Sequence, residues 1–305
     1  MASDEIEIVV PGGAELGESP VWDDRRGCLW WVDIKRGVVH RHEAERPDDG
    51  PGDASAAHRR ATVNASRQLG EEVGAVALRE RGGLVLVVRS GVLVLDDLAG
   101  PPRRLADLAA ASVRFNDAKC DPAGRLWAGT LADDGRAGGG RLYRVEPDGW
   151  AEVALEGVTV SNGLDWSPDG RTLYYVDSAT QRVDAIAFDP QTGSLGERRT
   201  LITIPLGEGI PDGLTVDADG FLWLALFGGG AVLRIAPHGS CERTVRVPVS
   251  HPTSCAFGGP DLTDLYITSA AKDLSPAERS EQPHAGAVLR MRTGVRGREA
   301  NRFAG

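Results

Sequence analysis

Glu18, Glu72, Asn116, Asn162, Asp212 and Ser254 all carry side-chain oxygen, and each stands ten to twelve residues ahead of a leucine that follows a glycine-containing turn. The leucines are Leu29, Leu84, Leu126, Leu173, Leu222 and Leu265. If the six polar positions converge, three acids and two amides face one another. Such a gathering costs free energy unless a cation compensates it. Glu18, Asn162 and Asp212 offer oxygen ligands only, a donor set that favours Ca2+, Mg2+ or Mn2+ over Zn2+ and leaves coordination positions for water and substrate. An ion held there can polarise a carbonyl oxygen, with Asp212 as the candidate general base beside it.

The convergence depends on the elements that carry these residues. The turn-and-strand landmarks are DDRRGCLWWVDI, ERGGLVLVVR, DPAGRLWAGT, SPDGRTLYYVD, DADGFLWLALF and GGPDLTDLYITS. Their apolar runs are short, rich in Val, Ile, Leu and aromatics, and bounded by turn residues, which reads as strand rather than helix. The leucines recur every 42 to 55 residues, roughly the length of one four-stranded propeller blade. The expectation is an all-β, six-bladed β-propeller with four antiparallel strands per blade, forming one domain over residues 1–305. The first strand of each propeller blade lines the central channel, so the six polar positions should meet at one end of one axis. The last repeat supplies three strands, Cys255 to Phe257, Leu265 to Ser269 and Ala287 to Arg292, and Ile6 to Val10 stands alone before the first. The N-terminal strand is therefore expected to close the last blade.

Two segments interrupt the rhythm. Residues 43–66 are polar and read as an insertion in a surface loop. Residues 131–141, with three consecutive glycines, read as a flap or linker over one face of the ring.

With 34 Lys and Arg against 44 Asp and Glu, the net charge is −10, which argues against nucleic acid and anionic membrane as partners. The start, MASDEIEIVV, has no basic segment followed by a long apolar one, and a cytoplasmic location is expected. Cys28, Cys120, Cys241 and Cys255 lack metal-thiolate spacing and read as reduced, mostly buried thiols. His251 lies near the expected channel mouth and reads as a loop hydrogen-bonding residue, and the tryptophans read as packing between blades.

The stretches LGESPVWDDRRGCLWWVDI, RFNDAKCDPAGRLWAGT, SNGLDWSPDGRTLYYVDS, IPDGLTVDADGFLWLALFGGG and TSCAFGG resemble the regucalcin and gluconolactonase family of six-bladed sugar-lactone hydrolases over nearly the whole length. The resemblance implies that Glu18, Asn162 and Asp212 hold one divalent ion, with Asp212 also the catalytic acid/base. It places Asn116 beside the ion in contact with substrate, and Arg114 on substrate oxygens. Ca2+ is the expected ion, ahead of Mg2+, Mn2+, Fe2+ or Zn2+. Relatives often carry glutamates after the AGT motif where this chain has Asp133 and Asp134, and Asp134 is carried as a substrate-binding candidate. The expected activity is opening of an aldono-1,4- or 1,5-lactone to the aldonic acid by a monomer or weak homo-oligomer. Two alternatives stand beside it: a phosphotriester or arylester hydrolase on the same metal site, and a non-catalytic calcium-binding regulator.

Overall fold

A computed structural model describes residues 5–43, 64–108 and 112–305. Its strands form six four-stranded antiparallel sheets, each a blade. The innermost strands of blades 1 to 6 are Gly17–Asp23, Val73–Leu78, Val113–Cys120, Ser161–Trp166, Ile210–Val216 and Pro252–Gly258. Blade 6 is completed by Ile6–Val10, which pairs with Val288–Arg292 in the order expected of a ring closed by its N-terminal strand.

The apolar core is divided among the joints between neighbouring blades, because each sheet is apolar on both faces and must bury both. Trp127 of blade 3 meets Trp166 of blade 4 at 6.1 Å between ring centres, and Phe188 packs on both. Trp22 of blade 1 stacks on Tyr266 of blade 6 at 5.4 Å. The turn aspartates brace the same joints. Asp121 accepts from the Ala123 and Arg125 amides, the Arg125 guanidinium at 2.6 Å and the Trp127 indole at 3.0 Å. Asp217 repeats this with Phe221, Trp223 and Arg234. One carboxylate thus closes a turn and orients a core tryptophan.

Of the polar segment 43–66, residues 44–63 lie outside the described residues. Glu43 ends the third strand of blade 1, and Asn64–Gln68 is its outer strand, so the segment read as loop contributes strand at both ends. Residues 133–139 form a short turn-rich connection between Leu126–Ala132 and Gly140–Val145, at the end of blade 3 where its inner strand begins.

The final segment, which has no period in the sequence, crosses the opposite end of the ring. Gly297 donates to the Leu262 carbonyl, Ala218 to Arg296, Arg298 to Trp166, Asn301 to Cys120 and Phe303 to Leu78, and Arg302 pairs with Asp23 and Asp24. Phe303 is fully buried. Arg298 to Asn301 close over a small cavity of about 60 Å3 behind the inner strands.

The closure of blade 6 has a measurable weight. Residues Ile6 and Ile8 pack on the blade 5 to blade 6 core, and Glu7 pairs with Arg290. Removing residues 1–10 is expected to lower the melting temperature by about 10 °C, since it unpairs a whole edge strand and exposes apolar surface. A thermal melt followed by circular dichroism checks this; an unchanged midpoint would deny the closing role.

Candidate active site

An open cavity of about 300 Å3 sits at the end of the ring where the inner strands begin. Glu18, Arg114, Asn116, Asn162 and Asp212 line it, together with Leu16, Val160, Ser178, Ala179, Ile210 and Phe227 among others. Five of the six sequence-expected site residues are therefore brought together. Asp134 is not among the lining residues: its side chain is exposed and binds Arg136 in its own loop at 3.1 Å. Its neighbour Asp133 is held by Arg89.

The expected six-fold convergence is four-fold. Inner strands shift register once near their start, at Glu18/Val21, Val73/Ala75, Phe115/Ala118, Ser161/Leu164, Pro211/Leu214 and Pro252/Ser254. Asn116, Asn162 and Asp212 lie inside these bulges and are turned into the cavity. In blade 2 the bulge holds Gly74, which has no side chain to offer. Glu72 precedes the strand and pairs with Lys35 at 2.6 Å and Arg89 at 3.0 Å. Ser254 lines the small cavity at the other end instead. Counting back from leucines cannot see a bulge, and a slip of one residue redirects a side chain.

Local chemistry fixes each ligand candidate. At the end of the second strand of blade 1, Asp33 accepts from the Glu15 and Leu16 amides at 2.9 and 3.2 Å, tying down the loop that delivers Glu18. Asp177 does the same in blade 4, accepting from Thr159 and Val160 at 2.9 Å ahead of Asn162. After Glu18 the chain passes through a left-handed conformation at Ser19 (φ 49°), uncommon for a residue other than glycine and typical of functional sites. The Ser19 amide donates to Glu18 at 2.9 Å, and its hydroxyl is bonded to both backbone groups of Val76. Arg114 donates to Asn116 Oδ1 at 2.9 Å, so the two residues flanking Phe115 act on one side, as their alternation predicts.

Burial raises the carboxyl of Glu18 well above the ordinary range, and the charges of Asp212 and Asp117 raise it further. Asp212 is raised by burial and then by Asp117, against hydrogen bonds from the Gly213 amide and Asn162. Asp117, also buried, is pushed up to about 6 by burial. Lys119 is engaged with Asp165 at 3.2 Å and the Leu214 carbonyl at 2.9 Å. Lys119 is also the cation that offsets Asp117, while Arg114 offsets Glu18 and Asp212, so the two acids on the cavity wall face one guanidinium and keep an excess of negative charge. Asp212 Oδ1 is buried with no hydrogen-bond partner. A buried carboxylate oxygen without a donor, beside a second acid and an amide oxygen, fits a divalent cation bound by hard ligands. Among the described residues no group of three or more His, Cys, Asp or Glu side chains could hold a metal; the candidate set here has two acids, its third donor being the Asn162 amide oxygen.

The cavity wall is mixed. Val160, Ala179, Ile210 and Phe227 give it an apolar part, and Phe227 stacks on His251 at 4.1 Å. His251 in turn bonds the Lys272 carbonyl at 3.1 Å, the loop role its sequence suggests. Cys28, Cys120 and Cys255 are buried free thiols and Cys241 is an exposed one. No helix among the described residues is long and apolar enough to cross a membrane. Sequence reasoning missed Ser19 and Ser178; the signal available was position, since each directly follows an acid at a strand end or bulge.

Residues 16–271 match the family model described as SMP-30/Gluconolactonase/LRE-like region. Over 296 residues the chain is 36% identical to YvrE of Bacillus subtilis (strain 168), named as a candidate sugar lactone lactonase, with 96% of each chain covered. It is 38% identical to regucalcin of Xenopus laevis over 314 residues, covering 100% of both. Among solved structures, a calcium-binding protein, regucalcin, from Agrobacterium tumefaciens superposes with a TM-score of 0.88 at 26% identity, covering 98% of this chain and 97% of the other.

Proposed function

Because this chain belongs to the SMP-30/gluconolactonase/LRE-like family, we propose that it is a divalent-metal-dependent hydrolase that opens a sugar lactone, an aldono-1,4- or 1,5-lactone, to the aldonic acid. The observation that carries this reading is the pair of buried acids, Glu18 and Asp212, which share a single nearby guanidinium, Arg114, on the wall of an open cavity with Asn116 beside them. Glu18, Asn162 and Asp212 would hold the ion. Ca2+ is the first choice, from the all-oxygen donor set and from the calcium-binding regucalcin relative.

The bound ion would supply Lewis-acid polarisation of the lactone carbonyl and stabilise the oxyanion that forms on attack. Arg114 and Asn116 orient the ring, the guanidinium fork and the amide suiting hydroxyl and carbonyl oxygens. Asp212 takes a proton from the attacking water as the new carbon–oxygen bond forms. The same proton then passes to the ring oxygen as its bond to the carbonyl carbon breaks, leaving the open hydroxy acid. A carboxyl group whose affinity for protons is raised by burial and neighbouring charge suits both halves of that exchange.

Ile210 and Phe227 leave the phosphotriester or arylester reading with one supporting feature, an apolar part of the wall. Proton release from a panel of aldonolactones and aryl esters, with metal-stripped protein reconstituted with Ca2+, Mg2+, Mn2+, Fe2+ or Zn2+ in turn, separates the readings. Ion-dependent opening of aldonolactones, with aryl esters slower by about a hundredfold or more, is expected. Ester hydrolysis without lactone opening would favour the second reading, and ion binding without turnover the calcium-binding regulator.

A further inference from the structure

Ser178 lies in a short 3-10 turn at the end of the second strand of blade 4, only 5% exposed, with its backbone amide bonded to the Val160 carbonyl. It belongs to a chain of hydrogen bonds running across three blades. Arg114 donates to Asn116 Oδ1 at 2.9 Å, and Asn116 Nδ2 donates to Asn162 Oδ1 at 3.0 Å and to the Ser161 carbonyl at 2.8 Å. Asn162 Nδ2 donates to Ser178 Oγ at 3.0 Å, and Ser178 Oγ donates to the Pro211 carbonyl at 2.6 Å.

The direction of this chain is fixed at both ends. A guanidinium can only donate, so Asn116 must turn its oxygen toward Arg114. A carbonyl can only accept, so Ser178 must spend its proton on Pro211 and present a lone pair to Asn162. Only the NH2 of Asn162 can face that lone pair, which turns its oxygen the other way, toward Asn116. That oxygen keeps a second lone pair. We infer that Ser178 is a positioning residue for the ion: it locks the Asn162 amide with its oxygen available to a divalent cation and anchors the peptide that precedes Asp212. Without the hydroxyl the NH2 end of the amide loses its Ser178 partner, and only the Asn116 hydrogen bond at the oxygen and the contact with Asp212 still hold its orientation, so the oxygen is less firmly presented to the ion. The inference rests on the metal-dependent reading above for its consequence, though the orientation of Asn162 stands apart from it.

The test uses two readouts on the full chain, ion affinity by calorimetry with Ca2+ and the side-chain NH2 resonances of Asn162 in ion-free, 15N-asparagine-labelled protein, identified by their loss in Asn162→Asp. Ser178→Ala is expected to weaken Ca2+ binding by about tenfold to a hundredfold, the range for residues that orient metal ligands, and to move the Asn162 resonances toward those of a free amide. Ser178→Thr, which keeps the hydroxyl, should restore both. Weakened binding with unmoved resonances would overturn the amide orientation as its cause, and unchanged values in both readouts would overturn the inference outright. If neither wild type nor variant binds Ca2+ or another divalent ion while the resonances still move, Ser178 orients Asn162 but positions no ion, and the metal-dependent function falls. Should Ser178→Ala not fold, Ser178→Cys, whose thiol is a weak donor and acceptor, carries the same comparison.

Discussion

Asp212→Asn is expected to lower lactone turnover by about three orders of magnitude while raising the melting temperature of the ion-free protein. The two effects share one cause. Burial raises the carboxyls of Asp212, Asp117 and Glu18; the charge of Asp117 raises Asp212 further, and those of Asp212 and Asp117 raise Glu18. An amide of the same shape removes one of these charges, so the ion-free fold is relieved of repulsion. On the proposed function the same change also removes the base and weakens the ligand set, since an amide neither accepts the water proton nor matches a carboxylate as partner to a divalent cation. A residue held only for structure would behave oppositely, with a lowered melting temperature and modest loss of rate. Thermal melts in chelator alongside steady-state kinetics decide it; unchanged turnover in the variant would remove the base assignment.

The ring was legible because its punctuation is chemical. Turns such as DPAG, SPDG and DADG need glycine at positive φ, observed at Gly124, Gly170 and Gly220. Their aspartates or serine also bond the turn amides, so the same letters recur in each blade. The lone Ile6 to Val10 was legible for a topological reason: an unpaired edge demands a partner. What a linear count could not supply is the bulge. Glu72 and Glu18 look equivalent along the chain, yet one is an ion-pair partner of Lys35 and Arg89 and the other faces the cavity. Ser178 was hidden for a different reason, because a serine's role depends on which groups its hydroxyl meets across the fold. The final segment carries neither period nor turn signal, and Phe303 declares its burial only through contacts with blades 2 and 3.

Stripping the ion should abolish turnover and also reverse the usual dependence of stability on pH. A carboxyl whose folded pKa is raised binds its proton more tightly folded than unfolded. Its contribution to stability is therefore present below the unfolded pKa and is lost as pH climbs through the folded value. For Asp117 that window runs from about 4, where an unfolded aspartate titrates, to about 6. Glu18 and Asp212, raised in the same direction, deepen the loss. In chelator the protein should thus melt lower at about pH 8 than at about pH 5. The ion requires the deprotonated acids, so its affinity should climb with pH by up to about tenfold per unit for each proton displaced. At an ion concentration near a hundred times Kd, binding adds about 2.7 kcal/mol to the folded state, with its largest effect at the alkaline end where the ion-free protein is weakest. Melting curves across this pH range, with and without Ca2+, read both slopes. Metal-stripped protein whose midpoint is flat with pH in chelator and, freed of chelator, indifferent to every added divalent ion would mean that the charge at Glu18, Asp117 and Asp212 is neutralised by the protein itself, and no cation site would remain to be filled.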